Sequence, residues 1–252
     1  MLDANLARLS DIPAAAGLLT RWPVDANDAP ARGAAAAWAY PLIGAAIALL
    51  LGVAAWLFLG LGVPVSVTAA LILGIGMIVT GALHEDGLAD SADGLWGASD
   101  RDRRLKIMRD SRIGTYGVLA LSMGILIRWG ALSVILTVGS YLPALIVTGM
   151  LSRSTMVAAM HYMPNARADG LSASVGRPSR STMFLALGIA LLGALLLTGL
   201  FALAIAVWAS LAVYVFTRIA RAKIGGQTGD ILGAAQQIAE TVILIVIAAQ
   251  LA

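Results

Sequence analysis

The sequence has no cysteine and only two histidines, His84 and His161. No disulfide framework, thiol nucleophile or thiolate metal site can be built, and a zinc centre lacks its usual nitrogen and sulfur ligands. Metal chemistry, if used, must draw on oxygen ligands. Charge is scarce as well: 12% of the 252 residues are Asp, Glu, Lys or Arg, about half the share in an ordinary soluble domain. With 60% hydrophobic residues and a mean hydropathy of +0.88, a soluble monomer is ruled out. No Walker or dinucleotide glycine pattern stands at a strand-to-helix junction. The 27 glycines instead suit close packing of membrane helices. No solenoid-length repeat and no shift in composition divides the chain, which reads as a single membrane-embedded domain over 1–252.

What is present is a series of apolar runs. A bilayer core about 30 Å thick needs roughly 20 apolar helical residues. Runs of about that length predict seven transmembrane helices and an all-α, polytopic membrane bundle: Ala36–Leu61, Val65–Leu83, Tyr116–Thr137, Leu142–Ala159, two halves of Ser181–Phe216, and Ile231–Leu251. Ser181–Phe216 would reach about 54 Å as one helix, so it is divided near Thr198 to Leu200. Residues 1–33 lack the basic start, apolar stretch and cleavage site of a signal peptide. Leu2, Leu6 and Leu9 recur there at helical spacing, which suits a helix along the membrane surface or a weakly ordered tail.

Placing the N-terminus inside puts 16 of the 17 basic residues in cytoplasmic segments, namely 1–33 and the loops 84–113, 153–181 and 218–230. Only Arg128 remains, within the third span, and the opposite-side connections carry no charge. Retention of these loops explains the pI of about 9.6, so no nucleic-acid partner is inferred.

The charges are clustered. Seven acidic and six basic residues fall between Glu85 and Arg112. If the second helix runs on past Leu83, Asp86, Asp90 and Asp93 sit at i, i+4 and i+7 on one face, with Glu85 on the adjoining face. Carboxylates this close repel one another unless a cation lies between them, and a hard divalent ion, magnesium foremost, is the natural complement. The alternative is a solvated acidic end of a membrane helix. Downstream, Lys106, Arg109 and Arg112 recur every three residues and suit phosphate oxygens, whereas Arg101, Arg103 and Arg104 read as loop-retaining charges. A carboxylate-bound cation beside basic side chains describes a site for a phosphate ester or pyrophosphate.

A second polar set opens the last span. Asp230, Gly233, Gln237 and Glu240 share a helical face, and Glu240 would lie about 15 Å along the axis from Asp230, where an ionisable group normally faces protein or water. Gln236 suits an internal hydrogen bond equally well. Arg128 and Arg153 are either counter-charges or snorkelling side chains.

At these residues the sequence resembles the cobalamin synthase family, the adenosylcobinamide-GDP ribazoletransferases. The resemblance is carried by LTRWP from Leu19, YPLIG from Tyr40, HEDGLADSADG from His84, RDSRIGTYGV from Arg109 and GDILGAAQ from Gly229. It implies a magnesium-dependent enzyme of the bacterial cytoplasmic membrane in which α-ribazole or its 5′-phosphate attacks adenosylcobinamide-GDP, giving cobalamin or its phosphate and GMP. Under it, Glu85, Asp86, Asp90 and Asp93 are the expected metal ligands, with Asp93 as base and Asp90 and Glu85 assisting. His84, Lys106, Arg109, Asp110, Arg112, Asp230, Gln237 and Glu240 are expected to contact substrate or its phosphates. Membrane lipid is an implied partner; a homo-oligomer and association with other corrinoid-assembly enzymes are compatible with it. Two other readings are weighed: a lipid-alcohol phosphotransferase, suggested by DSADG from Asp90 but lacking the rest of that signature, and a cation- or proton-coupled transporter running past Glu240 and Arg128.

Overall fold

The computed structural model describes residues 6–24 and 32–252. Leu2 lies outside them. Eleven α-helices follow in order: α1 Asp11–Leu19, α2 Tyr40–Gly60 (preceded without a break by a 3₁₀ turn, Gly33–Ala39), α3 Val65–Thr80, α4 Leu83–Trp96, α5 Arg101–Ile107, α6 Thr115–Val138, α7 Tyr141–Tyr162, α8 Leu171–Val175, α9 Arg180–Thr198, α10 Phe201–Ile224 and α11 Gly229–Leu251. Six segments are long and apolar enough to cross a bilayer: Gly33–Gly60, α6, α7, α9, α10 and α11. α3 and α4 pass the same test only as a pair bent by 90°, a broken span or a re-entrant loop, so the crossings number six or seven.

That break corrects the expectation of one continuous helix through Leu83. Gly81 and Ala82 both take left-handed backbone, with φ of +64° and +54°. The Gly81 amide donates to the Ile78 carbonyl (3.1 Å) and the Ala82 amide to that of Met77 (2.7 Å), a Schellman closure that ends α3. Arg21 donates its backbone N–H to the Val79 carbonyl at 2.7 Å and packs its side chain over Gly81, where a Cβ would overlap it. The chain restarts as α4 at 90°. Elsewhere the divisions fall where glycine permits positive φ: Gly62, Gly139 and Gly199.

α7 and α11 form the centre. Of their apolar spans 78% and 67% are buried, against 22–33% for the other four crossing helices. Large apolar residues such as Trp56, Leu126, Leu196 and Val207 face outward, as a lipid-facing surface requires. α2 reaches α7 at Gly44 and Gly149, where a Cβ on either would strike the other's backbone carbonyl. The N-terminal segment docks on the bundle as well. Asp11, 1% exposed, accepts from Trp38 Nε1 at 2.7 Å and pairs with Arg32 at 3.2 Å, so α1 is held from its first residue.

Candidate active site

Two glycine contacts bring the acidic motif to the last helix. A Cβ on Gly87 would lie 2.8 Å from the Asp230 carbonyl oxygen, and one on Gly233 would lie 3.3 Å from the His84 Cα. α4 therefore crosses the first two turns of α11 in near backbone contact, and Asp86, Asp90 and Asp230 lie close enough to repel one another. Asp230 accepts from Thr228 Oγ1 at 3.0 Å, and Thr228 Oγ1 caps α11 by accepting from the Ile231 amide at 3.3 Å. Arg167 reaches in from the α7–α8 loop, its Nη2 3.7 Å from Asp230. Its Nη1 is buried and has no hydrogen-bond partner.

The loop bearing Arg167 is held by a buried residue. Gln227 and the Pro164–Ala166 backbone exchange two amide bonds of 2.8 Å, and the Gln227 Nε2 reaches the carbonyls of Met160 and Met163. Arg101 donates to the carbonyls of Ala166 and Ile224, and Arg104 to that of Lys223 at 3.1 Å. These two arginines, expected only to retain a loop, satisfy carbonyls that the end of α10 leaves open.

Beside Asp230 and Arg167 is a cavity of about 130 Å³ between α1, α4, α7, α8 and α11. Its polar lining is His84, Asp86, Arg167 and Asp230 with the hydroxyls of Tyr40 and Ser172; Leu19, Met156, Met160 and Val175 are among the apolar residues. His84 is 2% exposed, and its Nε2 has no partner.

A second polar group lies inside the bundle. Arg128 Nη1 donates to Glu240 at 3.0 Å and to Glu85 at 3.4 Å; Gln236 Nε2 donates to Glu240 at 2.7 Å and Gln237 Nε2 to Glu85 at 3.1 Å. Arg153 approaches Glu240 at 3.7 Å. The two arginines are thus buried counter-charges rather than snorkelling side chains, and two cations balance two carboxylates around a cavity of about 60 Å³ that His84 also borders. Glu85, Gln237 and Glu240 belong to this group, apart from Asp86, Asp90 and Asp230.

A model of the cobalamin-5-phosphate synthase family matches residues 11–248. The chain belongs to that family. The protein named adenosylcobinamide-GDP ribazoletransferase in Bradyrhizobium diazoefficiens is 43% identical over 247 residues, covering 96% of this chain and 94% of the relative. Relatives of the same name are 42% identical in Mesorhizobium japonicum, over 94% and 92% of the two chains, and in Brucella anthropi, over 95% and 93%. No solved structure matches.

In this cobalamin-5-phosphate synthase family member, the helical face bearing three aspartates is split in use. Asp86 is exposed and Asp90 half-buried, whereas Asp93 is buried and accepts from the amides of Gly114 (2.6 Å) and Gly117 (2.9 Å), one at each oxygen. It caps α6. The basic row is not helical either, because α5 ends at Ile107. Lys106 is exposed; Arg109 pairs with Asp169, two residues beyond Arg167; Arg112 grips Asp110 with Nη2 at 2.7 Å and Nε at 3.0 Å. That grip holds the Asp110 carboxyl down at about 2.

Among the described residues no three Asp, Glu or His side chains converge on a point. The carboxylates that line the cavity, Asp86 and Asp230, nevertheless offer hard oxygens, which suits magnesium, an ion that commonly takes one or two carboxylates and completes its shell with water and phosphate. Reading the sequence missed Arg167 altogether. Its signal was weak, a lone arginine in a loop, and only the fold places it against Asp230.

Proposed function

We propose that the protein catalyses the reaction of its named relatives: transfer from adenosylcobinamide-GDP to ribazole or its phosphate, with release of GMP. The observation that carries this reading is the meeting of Asp86 on α4 with Asp230 and Arg167 at one cavity, with Asp90 beside it, close enough to feel both carboxylates. A phosphoryl transfer needs positioning and charge neutralisation more than covalent help from the protein. Arg167, with an unpartnered buried N–H donor, and Arg109 at the neighbouring loop hold phosphate oxygens; Arg112 stands on the same exposed loop.

Asp86 and Asp230 would hold Mg²⁺ together with water and the substrate's own oxygens, and the ion when bound would neutralise charge on the diphosphate. This pair keeps Asp86 from the sequence expectation and adds Asp230, since Asp93 and Glu85 are engaged with α6 and Arg128. Asp90 takes the proton of the attacking ribose hydroxyl as its oxygen bonds to the phosphorus next to cobinamide. The bridging oxygen then leaves with GMP. The spread of Lys and Arg supports an active-site face toward the cytoplasm, in the cytoplasmic membrane, with the N-terminus inside.

The test is purified protein in liposomes with adenosylcobinamide-GDP, ribazole 5′-phosphate and magnesium, following GMP and corrinoid product. Joint appearance of both, lost on chelation and restored by magnesium, is expected. GMP without a joined corrinoid, or no turnover by folded protein, would overturn the assignment.

A further inference from the structure

The cavity beside Asp230 has two unlike sides, and this difference selects among the parts of the substrates. Much of its lining is methionine and aliphatic: Leu19, Met156 and Met160 are buried, and half-buried Val175 contributes from the short helix α8. Methionine sulfur makes favourable contacts with aromatic rings and adapts to a flat guest. Among the described residues that line it, His84 Nε2 and Arg167 Nη1 are buried without a hydrogen-bond partner, Arg167 standing beside Asp230; Tyr40 and Ser172 add two hydroxyls.

Such a cavity suits a flat aromatic base with one acceptor nitrogen and an otherwise apolar edge. Guanine suits it less well, because its keto, amino and ring N–H groups need several polar partners at once, whereas Leu19, Met156, Met160, Leu171, Val175 and Leu232 supply most of the side chains there. Ribazole, the ribonucleoside of dimethylbenzimidazole, meets it: one free ring nitrogen, two methyl groups and no exocyclic polar group.

Resting on the reaction proposed above, we infer that this cavity is the subsite for the ribazole base. The dimethylbenzimidazole lies against Leu19, Met156, Met160 and Val175, and its free nitrogen accepts from His84 Nε2. The ribose points back to Arg167 and Asp230, which brings its hydroxyls to the carboxylates of α4. The guanosine of the other substrate binds elsewhere.

The test compares two ribosides as acceptors, dimethylbenzimidazole and unsubstituted benzimidazole, with wild type and with Val175→Trp and Met160→Gln. Full burial of two methyl groups makes the wild-type KM about 15-fold lower for the methylated riboside. Val175→Trp, at a half-buried position on the short helix α8, fills the cavity from a different element and is read only in protein shown by thermal unfolding to be folded, so it remains informative if Met160→Gln does not fold. Either variant should raise the ribazole KM at least about tenfold and flatten the preference between ribosides, with the KM for adenosylcobinamide-GDP within about twofold. Equilibrium dialysis of ribazole alone against each protein, without the second substrate, reads the same loss independently of turnover. A ribazole KM and affinity unmoved in folded Val175→Trp, or both KM values rising together, would overturn the subsite, including the case in which a lipid chain fills the cavity. If wild type binds ribazole yet releases no GMP, the reaction fails and the cavity assignment survives.

Discussion

Asp90 and Asp93 are three residues apart on one helix, and the structure gives them opposite work. Asp93 closes the N-terminus of α6 through bonds of 2.6 and 2.9 Å to the amides of Gly114 and Gly117. Each is a charge-assisted bond to a helix end, so Asp93→Ala loses an N-terminal cap and leaves two amides in a buried place without partners. Cap removal alone costs about 0.5–2 kcal/mol, and the stranded amides bring the sum to roughly 2–4 kcal/mol. Asp90→Asn, at a half-buried position with no hydrogen bond to the fold, should change stability by less than about 0.5 kcal/mol and abolish turnover. Detergent-solubilised protein is unfolded by heat and assayed for GMP release in parallel. Asp93→Ala is expected to unfold at clearly lower temperature, and Asp93→Asn, which keeps one acceptor oxygen, to fall between. Wild-type stability in Asp93→Ala with turnover gone would show that this carboxylate serves substrate or metal, and the division drawn here would be refuted.

Glu240→Gln leaves Arg128 and Arg153 facing only Glu85 inside the bundle; a loss of about 3–5 kcal/mol is expected, read as reduced folded yield and thermal stability. Gly233→Ala pushes α11 off the His84 backbone, with a stability cost of roughly 1–3 kcal/mol and a fall in turnover larger than the stability change explains. Arg167→Gln should lower kcat/KM by about 100-fold or more, as expected for a guanidinium serving the transferred phosphoryl group, while Arg112→Gln stays within about tenfold. Because the Arg112 contact holds Asp110 at about 2, below its ordinary 3.8, the pair persists at every pH above about 4 and is lost only as pH falls through about 2. Rate profiles between pH 5 and 9 should therefore be the same for wild type and Asp110→Asn.

Six of the seven expected crossings were legible because each depends on a run of apolar residues, and the bilayer sets the length of that run. The division near Gly199 was legible for a similar reason, since one helix over Ser181–Phe216 would outrun the bilayer and glycine takes positive φ at little cost. The acidic motif and the polar start of the last helix stood out because ionisable groups are rare in such a chain. The break at Gly81 was not legible. It is made together with Arg21, some sixty residues away, whose backbone satisfies the end of α3.

The partners of each carboxylate were likewise set in three dimensions. Helical periodicity places Asp86, Asp90 and Asp93 on one face, but the neighbouring helix decides that Asp93 meets the amides of α6 while Asp86 and Asp90 meet Asp230. Arg128 and Arg153 became partners of Glu85 and Glu240 through the packing of α6, α7 and α11, and Arg167 entered the site because Gln227 holds its loop. The sequence by itself determined that this is a polytopic helical bundle with a charged site near one end of it, because hydropathy and charge act locally along the chain. Which charges neutralise one another and which stay available for substrate was decided by the tertiary structure alone, because electrostatic pairing depends on distances that helices far apart in sequence set together.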